Sequence, residues 1–373
     1  MKALFTPSSS GLPQRRPVVA GLLSTLVTAE QYDFWARELG TTAAWRRVFA
    51  RVCGLRREAD DTVSLVLQGN RNFVPTTAGQ HVTLSLEING RRHSRSYSLS
   101  RPAQGRKITL TVRREPEGLM SNYLHDQLRL GDVVELSQPF GDLGQSLRAD
   151  GEAAALWLAA GSGITAVFNV LAERAAAGRA LKGQLLYWEK QPGRFCFTEE
   201  LERLQAEHRG FRVRRFCRDS GGSDGYESGR LDTALAEKLL SDGAYAEAVV
   251  CGGSAFVASA RELLAESISA FHAEAFSPPK SVADSGEGEA FFELSLSRSR
   301  RTLTVSSRQS LLEALEDAGM SVPSGCRMGI CNSCSCQQSG GESQNQLNGA
   351  SLRGQGALRL CVSRARSDLE LNL

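Results

Sequence analysis

The cysteines near the carboxyl end of the chain have the spacing of a metal-binding loop. Residues 326–336 read CRMGICNSCSC, so Cys331 follows Cys326 after four residues, Cys334 follows after two more, and Cys361 lies 26 residues further on. Thiolates at a C-x4-C-x2-C…C spacing are typical of the plant-type site that holds a [2Fe–2S] cluster. Zinc sites more often show two C-x2-C pairs, so a zinc site or a structural thiol cluster is the alternative.

Three neighbours of these cysteines need a separate interpretation. Gly329 suits a loop whose backbone must curl around sulfur atoms and offer N–H groups to them. Cys336 is interpreted as a neighbouring free thiol rather than a ligand. Arg327 follows the first ligand and either presents a positive charge to an acidic partner or is simply solvated.

Length and composition indicate a multidomain protein without a highly charged surface. The 373 residues suggest two or three domains, and the net charge of +3 gives no reason to expect nucleic acid as a partner. Arg15 and Arg16 precede PVVAGLLSTLV, which resembles a signal peptide, and the alternative is a short helix that packs on the body or touches a partner. The nine cysteines are an odd number and mostly isolated, which favours a reducing cytoplasm.

Hydrophobic periodicity divides the chain into five segments. Residues 1–43 form an extension with a short helix in TAEQYDFWARELG, and residues 44–148 alternate with a period of two, as in an antiparallel barrel or sandwich. Strands and helices alternate over 149–276, which predicts a doubly wound parallel sheet. A linker rich in Ser, Pro, Gly and charge spans 277–289, and residues 290–373 form the last domain.

The tetrapeptide RSYS closes a predicted barrel strand just before KITLTVRREPEGLMSNYLHD. Alone, it also fits a strand with a buried tyrosine and an exposed arginine. Together the two stretches resemble the ferredoxin-NADP reductase superfamily, whose barrel domain binds FAD. The resemblance implies that Arg95 pairs with the flavin pyrophosphate, Tyr97 stacks on the isoalloxazine and Ser98 donates toward its N5 atom. The remaining residues implied for FAD are Ser96, Val112, Arg113, Gly118, Met120 and Ser121, the last three at a helix N-terminus that suits phosphate.

Two glycine-containing turns match the nucleotide-binding domain of the same superfamily. Residues 158–166 read LAAGSGITA, and VVCGGSAF follows further on. The glycines let a pyrophosphate approach the backbone, although tight packing of strand on helix is the alternative. The resemblance places the cysteine of the second turn beside the nicotinamide, where its alternative role is that of a small buried hydrophobe. The residues concerned are Gly161, Gly163, Ile164, Thr165, Cys251 and Gly252.

Charged residues near the strand ends bear on the choice of coenzyme. Arg218, Arg230 and Lys190 suit the 2′-phosphate of NADPH, whereas Glu189 suits the free ribose hydroxyl of NADH. We expect NADPH to be preferred over NADH. The arginines would otherwise be an ordinary solvated face.

The last segment, from Phe291 to Leu373, resembles a plant-type ferredoxin domain of the α+β β-grasp fold. Its loop usually has glycine after the second cysteine, where this chain has Asn332, a residue that tolerates left-handed backbone angles. The order of flavin, nucleotide and iron–sulfur domains resembles reductases that supply multicomponent oxygenases and membrane fatty-acid desaturases.

This resemblance implies that hydride passes from NADPH to FAD near Ser98 and Cys251, the expected catalytic residues. Single electrons would then pass through the cluster to an acceptor protein. The N-terminal YDFWARELG favours a desaturase, with peripheral contact to a membrane-bound partner, and a monomer is expected. The alternatives are a reductase of a soluble hydroxylase or ring dioxygenase and, from another class, a redox-sensing interaction module.

Overall fold

The computed structural model describes residues 28–147, 154–219, 225–277, 288–347 and 349–373. The signal-like stretch in residues 1–27 and most of the predicted linker 277–289 lie outside the described residues. Within the described ranges, no helix is both long enough and apolar enough to cross a membrane.

An N-terminal helix, α1 (Ala29–Glu38), packs on the body of the protein. Thr28 caps it, and Gln31 completes a reciprocal capping box. The buried Asp33 carboxylate accepts hydrogen bonds from the backbone N–H groups of residues 45–47, at 2.6, 3.2 and 3.0 Å. Tyr32 stacks on Trp45 with ring centroids 4.9 Å apart. The helix is therefore fastened to the segment that leads into the first strand.

The next segment forms an antiparallel barrel. Its strands are β1 (Val48–Ala59), β2 (Thr62–Gly69), β3 (His81–Ile88), β4 (Arg91–Ser98), β5 (Lys107–Arg113) and β6 (Val133–Leu136), and its helices are α2 (Leu119–Asp126) and α3 (Leu143–Ser146). The strand order is β4-β3-β6-β1-β2-β5. A bridge between Leu99 and Leu110 joins the two outer strands and closes the barrel. Alternate residues such as Leu65 and Leu84 fill its interior.

A parallel five-stranded sheet follows. Its strands are β7 (Ala155–Ala160), β8 (Gly183–Glu189), β9 (Phe211–Cys217), β10 (Glu247–Gly252) and β11 (Ala270–Ala275), and its helices are α4 (Ile164–Ala176), α5 (Thr198–Glu207), α6 (Thr233–Asp242) and α7 (Ser254–Leu264). The order β11-β10-β7-β8-β9 reverses direction between β7 and β10. Ligands of such sheets bind outside the carboxyl ends of the strands at that point.

The last segment folds into two small sheets around one helix, α8 (Leu311–Asp317). Its strands are β12 (Phe291–Leu296), β13 (Arg301–Ser306), β14 (Ser335–Gly340), β15 (Glu342–Asn345), β16 (Ser351–Arg353), β17 (Gly356–Arg359), β18 (Ser363–Ala365) and β19 (Leu369–Leu371). One sheet has the order β13-β12-β19-β14-β17 and the other β16-β15-β18. Together with the two preceding segments, this confirms the predicted fold class: an antiparallel β-barrel, a doubly wound α/β sheet and an α+β ferredoxin-like domain.

The barrel and the parallel sheet share one apolar core. Ala59, Ala78 and Leu143 of the barrel side belong to the same buried cluster as Phe168 and Phe197 of the sheet's helices and loops. Ion pairs join the two units as well, since the guanidinium of Arg101 lies 2.7 Å from Glu200 and 2.9 Å from Glu58. The two units are therefore packed as one body.

Two elements differ from the sequence prediction. The closing strand predicted over residues 358–373 is divided into β17, a 3-10 turn at Leu360–Val362, β18 and β19, because the chain turns inward at Cys361. Strand β11 was not predicted at all. Its sequence, AFHAEA, is short, and five of its six residues are only half-buried, so it lacks a clear hydrophobic pattern.

Replacing Asp33 by Asn is expected to loosen α1 from the barrel, because the neutral amide loses charge-assisted hydrogen bonds from three N–H groups. Such a loss costs about 2 kcal/mol, so amides in α1 should exchange with deuterium roughly thirty-fold faster. Glu30→Gln, on the exposed side of the same helix, is the matched control and should exchange like the parent. Equal exchange in both variants would contradict the anchoring role of Asp33.

Candidate functional site

A cavity of about 430 Å³ lies where the barrel, the parallel sheet and the cysteine loop meet. The end of β4, the end of β5 and the start of α2 form one wall, and residues 325–328 form another. The predicted cofactor-binding residues that line it are Arg95, Ser96, Tyr97, Ser98, Val112, Arg113, Gly118, Met120, Ser121 and Thr165. The structure therefore brings most of the residues expected around the flavin to one place.

The RSYS tetrapeptide presents three different chemistries to this cavity. Tyr97 contributes an aromatic wall, and burial raises the pKa of its phenol above the ordinary value, so it is neutral. Ser98 is buried at the end of β4, beside His81 of the neighbouring strand. Arg95 keeps an exposed guanidinium that donates to the carbonyl of Ser94 at 2.8 Å. An aromatic face, a hydroxyl and a cation suit a flavin ring and its phosphates.

The start of α2 has the shape expected of a phosphate site. Gly118 is its N-cap, and no side chain caps the helix. A Cβ atom at this position would lie 2.5 Å from the Oγ of Ser121, so only glycine fits without rearrangement. That hydroxyl accepts from the N–H of Glu115 at 3.1 Å and donates to the Gly118 carbonyl at 3.0 Å. Helix N–H groups that no side chain caps can bind the FAD pyrophosphate.

The glycine turn after β7 packs directly against the end of β10. Gly161 has a φ of +60°, and a Cβ atom on Gly163 would lie 2.0 Å from the carbonyl oxygen of Cys251. Cys251 is fully buried, and burial raises the pKa of its thiol well above the ordinary value. The predicted residues Gly161, Gly163, Ile164, Cys251 and Gly252 are thus brought together at the reversal of strand order, behind the cavity rather than on its wall.

Glu189 is not available to a ribose hydroxyl. Its carboxylate is buried, forms an ion pair with the guanidinium of Arg113, and accepts from the Tyr187 hydroxyl at 3.1 Å. Burial raises the pKa of Glu189, and the nearby charge of Arg113 opposes that rise. Arg113 therefore links the flavin strand β5 to the end of β8, and the sequence argument from Glu189 toward NADH loses its basis.

The cations considered for the coenzyme stand at the ends of β8 and β9. The Arg218 N–H donates to the carbonyl of Glu189 at 3.1 Å, and the Asp219 N–H donates to that of Lys190 at 3.0 Å. Lys190 and Arg218 therefore leave adjacent strands side by side, and both are exposed. The Nε of Arg218 donates to Asp219 at 3.0 Å. Arg230 is exposed on a separate segment beyond β9.

The cysteine loop points its backbone N–H groups at sulfur. The Sγ of Cys326 accepts from the N–H groups of Met328, Ile330 and Cys331 at 3.3–3.4 Å. The Sγ of Cys331 accepts from the N–H of Cys326 at 3.2 Å. Such donors stabilise thiolates bound to iron and tune the cluster.

This curl requires left-handed backbone angles at three residues. Arg327, Gly329 and Asn332 have φ values of +58°, +75° and +56°. A Cβ atom on Gly329 would lie 2.9 Å from a methyl group of Val362, so this glycine is needed for space as well as for its angle. Asn332 does adopt the left-handed conformation, which accounts for its place where the family usually has glycine.

The four predicted ligands are arranged as two pairs. The Sγ atoms of Cys334 and Cys361 lie 3.2 Å apart, and Cys326 and Cys331 form the second pair. The hydrogen bond within each pair lowers the pKa of Cys331 to about 5 and that of Cys334 to about 7, and raises those of their partners. Two thiolate pairs suit two irons, and no three metal-binding side chains of the described ranges are arranged around a single ion.

Cys336 and Arg327 lie near the ligands but serve other contacts. Cys336 is buried in β14, and its Sγ donates to the carbonyl of Gln337 at 3.5 Å. Arg327 lines the cavity, and its guanidinium is held by Glu316 at 2.7 and 2.9 Å. Because its charge is neutralised and turned inward, the structure gives no support to a role in docking an acidic partner.

Three residues of the site were not predicted. His81 and Phe276 line the cavity, and Glu274 contacts His81. Antiparallel pairing of β3 with the RSYS strand would have pointed to His81, since its Cα lies opposite that of Ser98. The other two residues belong to β11 and the turn after it, which the hydrophobic pattern did not reveal.

Comparison with protein families divides the chain in the predicted order. The family described as oxidoreductase FAD-binding domain matches residues 59–144, and the oxidoreductase NAD-binding domain matches residues 157–262. The 2Fe-2S iron-sulfur cluster binding domain matches residues 294–366. The expected cofactors FAD, a nicotinamide nucleotide and [2Fe–2S] are therefore confirmed at the level of domains.

Individual relatives carry the same set of domains. An NADPH oxidoreductase of Mycobacterium tuberculosis is 28% identical over 99% of this chain and 98% of its own. A glycine betaine monooxygenase reductase subunit of Chromohalobacter salexigens is 26% identical over 73% of this chain and 79% of its own. The solved structure of phthalate dioxygenase reductase, described as modular for electron transfer from pyridine nucleotides to [2Fe–2S], has a TM-score of 0.55 and 26% identity. It covers 87% of this chain and 97% of its own.

With three matched domains, a shared cavity and two thiolate pairs, the chain belongs to the ferredoxin-NADP reductase superfamily, as an NAD(P)H-dependent flavoprotein oxidoreductase with a carboxyl-terminal plant-type [2Fe–2S] domain.

Proposed function

We propose that this protein oxidises NADPH and delivers its electrons one at a time, through FAD and [2Fe–2S], to an oxygenase component. One observation carries the proposal: Tyr97 and Ser98 of the flavin segment line the same cavity as Cys326, the first ligand of the cluster. The bound cofactors would supply the chemistry, with flavin taking hydride and releasing single electrons to the cluster. The protein supplies binding, orientation and exclusion of water.

The side chains around the cavity fall into separate tasks. Arg95 and the start of α2 would bind the FAD pyrophosphate, and the neutral ring of Tyr97 would pack on the isoalloxazine. The buried Ser98 hydroxyl would orient the reactive edge of the ring. Cys251, buried and uncharged, would form part of the apolar floor near the nicotinamide rather than act as a nucleophile.

The preference for NADPH is supported by the arrangement of charges at the ends of β8 and β9. Glu189, the carboxylate that would favour NADH, is engaged by Arg113 and Tyr187. Lys190 and Arg218 stand exposed at adjacent strand ends, where two cations can bind a 2′-phosphate. Asp219 shares the guanidinium of Arg218, so coenzyme binding would have to compete with an exposed ion pair worth little in water.

An oxygenase component is the better supported acceptor. Relatives that match along three quarters of the chain are named as reductase subunits of a monooxygenase and an epoxidase. The N-terminal segment that suggested a desaturase has an internal role, since Asp33 and Tyr32 fasten α1 to the barrel. A desaturase partner, a monomeric state and a cytoplasmic location stay predictions.

Arg218→Ala is expected to raise the KM for NADPH roughly tenfold with kcat unchanged, because a charge-assisted contact to the 2′-phosphate is worth about 1.5 kcal/mol. The KM for NADH should stay the same, since NADH lacks that phosphate. Steady-state reduction of ferricyanide measures both. Arg212→Ala, at the opposite end of β9, is the control. An equal effect on both coenzymes would contradict phosphate recognition by Arg218.

Cys334→Ala is expected to abolish the cluster, because it leaves one iron with a single thiolate from the chain. Iron content and the electron paramagnetic resonance signal of the reduced cluster should disappear, while NADPH still bleaches the flavin. Cys336→Ala, two residues away in β14, should retain both iron and signal. If Cys336→Ala lost the cluster and Cys334→Ala kept it, the assignment of ligands would be wrong.

Adding candidate acceptors to anaerobically reduced protein tests the partner. An oxygenase component should reoxidise the cluster at least tenfold faster than a fatty-acid desaturase at equal concentration, and stopped-flow absorbance follows the reaction. The Cys334→Ala protein serves as the control, since it should reduce neither. Faster oxidation by the desaturase would restore the prediction made from the N-terminal sequence.

A further inference from the structure

A buried histidine and a buried glutamate meet between the barrel and the parallel sheet. His81 is 2% exposed and Glu274 is 9% exposed, and His81 Nε2 lies 3.2 Å from Glu274 Oε2. Within the described residues, these two atoms and His81 Nδ1 have no aligned hydrogen-bond partner, so the contact is one of distance and charge. Burying such groups is costly for stability, which suggests that the pair is kept for another reason.

His81 is held firmly on the barrel side. Its backbone exchanges two hydrogen bonds with Phe140, at 2.8 and 3.0 Å. Its ring stacks on that of Phe140 at 5.8 Å and meets the edge of Phe276 at 6.0 Å. Its Cα is paired with that of Ser98, so the imidazole stands next to the segment that would orient the flavin. The histidine is therefore a fixed point on the wall of the cavity.

Glu274 belongs to the edge of the sheet that faces this point. It lies on β11 directly opposite Cys251 of β10. Two residues later, the N–H of Phe276 donates to the carbonyl of Gly252 at 2.7 Å, and the ring of Phe276 lines the cavity. The His81–Glu274 contact thus joins the barrel to the strand pair that carries both Cys251 and Phe276.

We propose that His81 and Glu274 are positioning residues for hydride transfer, and that their contact fixes the β10–β11 edge against the flavin cavity. In that step a hydride carrying two electrons would leave C4 of the nicotinamide for N5 of the flavin, oxidising the first and reducing the second, with solvent supplying the remaining proton. Neither side chain touches the reacting atoms. They act through Cys251 and Phe276, because small misplacements of the donor slow such a transfer steeply.

The inference rests on the proposed function, and its test separates the two. Wild-type protein loaded with FAD and cluster is mixed anaerobically with NADPH, and stopped-flow absorbance gives the limiting rate of flavin reduction and the dissociation constant for NADPH. Failure of the wild type to reduce its flavin would overturn the proposed function. The inference is tested only by differences between variants and wild type.

Glu274→Gln and His81→Phe remove the charge contact and keep the size of the side chain. Each is expected to slow the limiting rate at least tenfold while the dissociation constant for NADPH stays within twofold. The double variant should be no slower than either single variant, because two residues that act as one unit are not additive. Unchanged limiting rates, or losses that multiply in the double variant, would overturn the inference.

Amide hydrogen exchange of peptide 270–277 gives a readout that does not depend on turnover. Both single variants should exchange at least tenfold faster there than the wild type, with or without cofactors. Glu200→Gln is the matched control, since it breaks another contact between the two units, with Arg101, outside this cavity. It should alter neither the limiting rate nor this peptide. Slower flavin reduction without faster exchange would also overturn the positioning role.

Where one substitution prevents folding, the other decides the outcome. FAD content and the melting temperature identify a variant that does not fold. His81→Gln then replaces His81→Phe, and Glu274→Asp replaces Glu274→Gln, the latter restoring the charge at a longer distance. Partial recovery of the limiting rate by Glu274→Asp relative to Glu274→Gln is expected, and an equal rate in both would count against the charge contact.

Discussion

Electrons pass between two cofactors only if the segments that bind them face each other. In this protein that condition depends on how the barrel, the parallel sheet and the cysteine loop pack around one cavity, lined by Tyr97, Phe276 and Cys326. The apolar core shared by barrel and sheet makes the first two units one body. Side chains from three separate parts of the chain can therefore act on the same small volume.

The cluster loop shows how a local backbone can be held in an unfavourable shape. Left-handed angles at Arg327 and Asn332 are uncommon for residues with a Cβ atom, and they cost free energy unless the surroundings hold them. The guanidinium of Arg327 is bound by Glu316 on α8, which holds that residue in place. In return, several N–H groups point at sulfur, and this is the environment that a charged iron–sulfur cluster needs.

Charges near the nucleotide site change meaning once their partners are known. Glu189 looks like a ligand for a ribose hydroxyl in the sequence, but in the fold it is the counter-ion of Arg113. Arg327 looks like a docking residue, but it is paired within its own domain. An exposed charge can meet a ligand, whereas a buried charge must first satisfy its neighbours, because desolvation without a partner is costly.

The sequence by itself determined the class of each domain, the four ligands and the RSYS segment, because these depend on periodicity and on spacing between near neighbours. Cys326, Cys331 and Cys334 are close in the chain, so their spacing already describes a loop. Only the tertiary structure decided that β11 exists and that Glu274 meets His81 across the domain boundary. Those residues are 193 positions apart (274 − 81), and no local pattern encodes a contact that arises from strand order and from the packing of one unit on another.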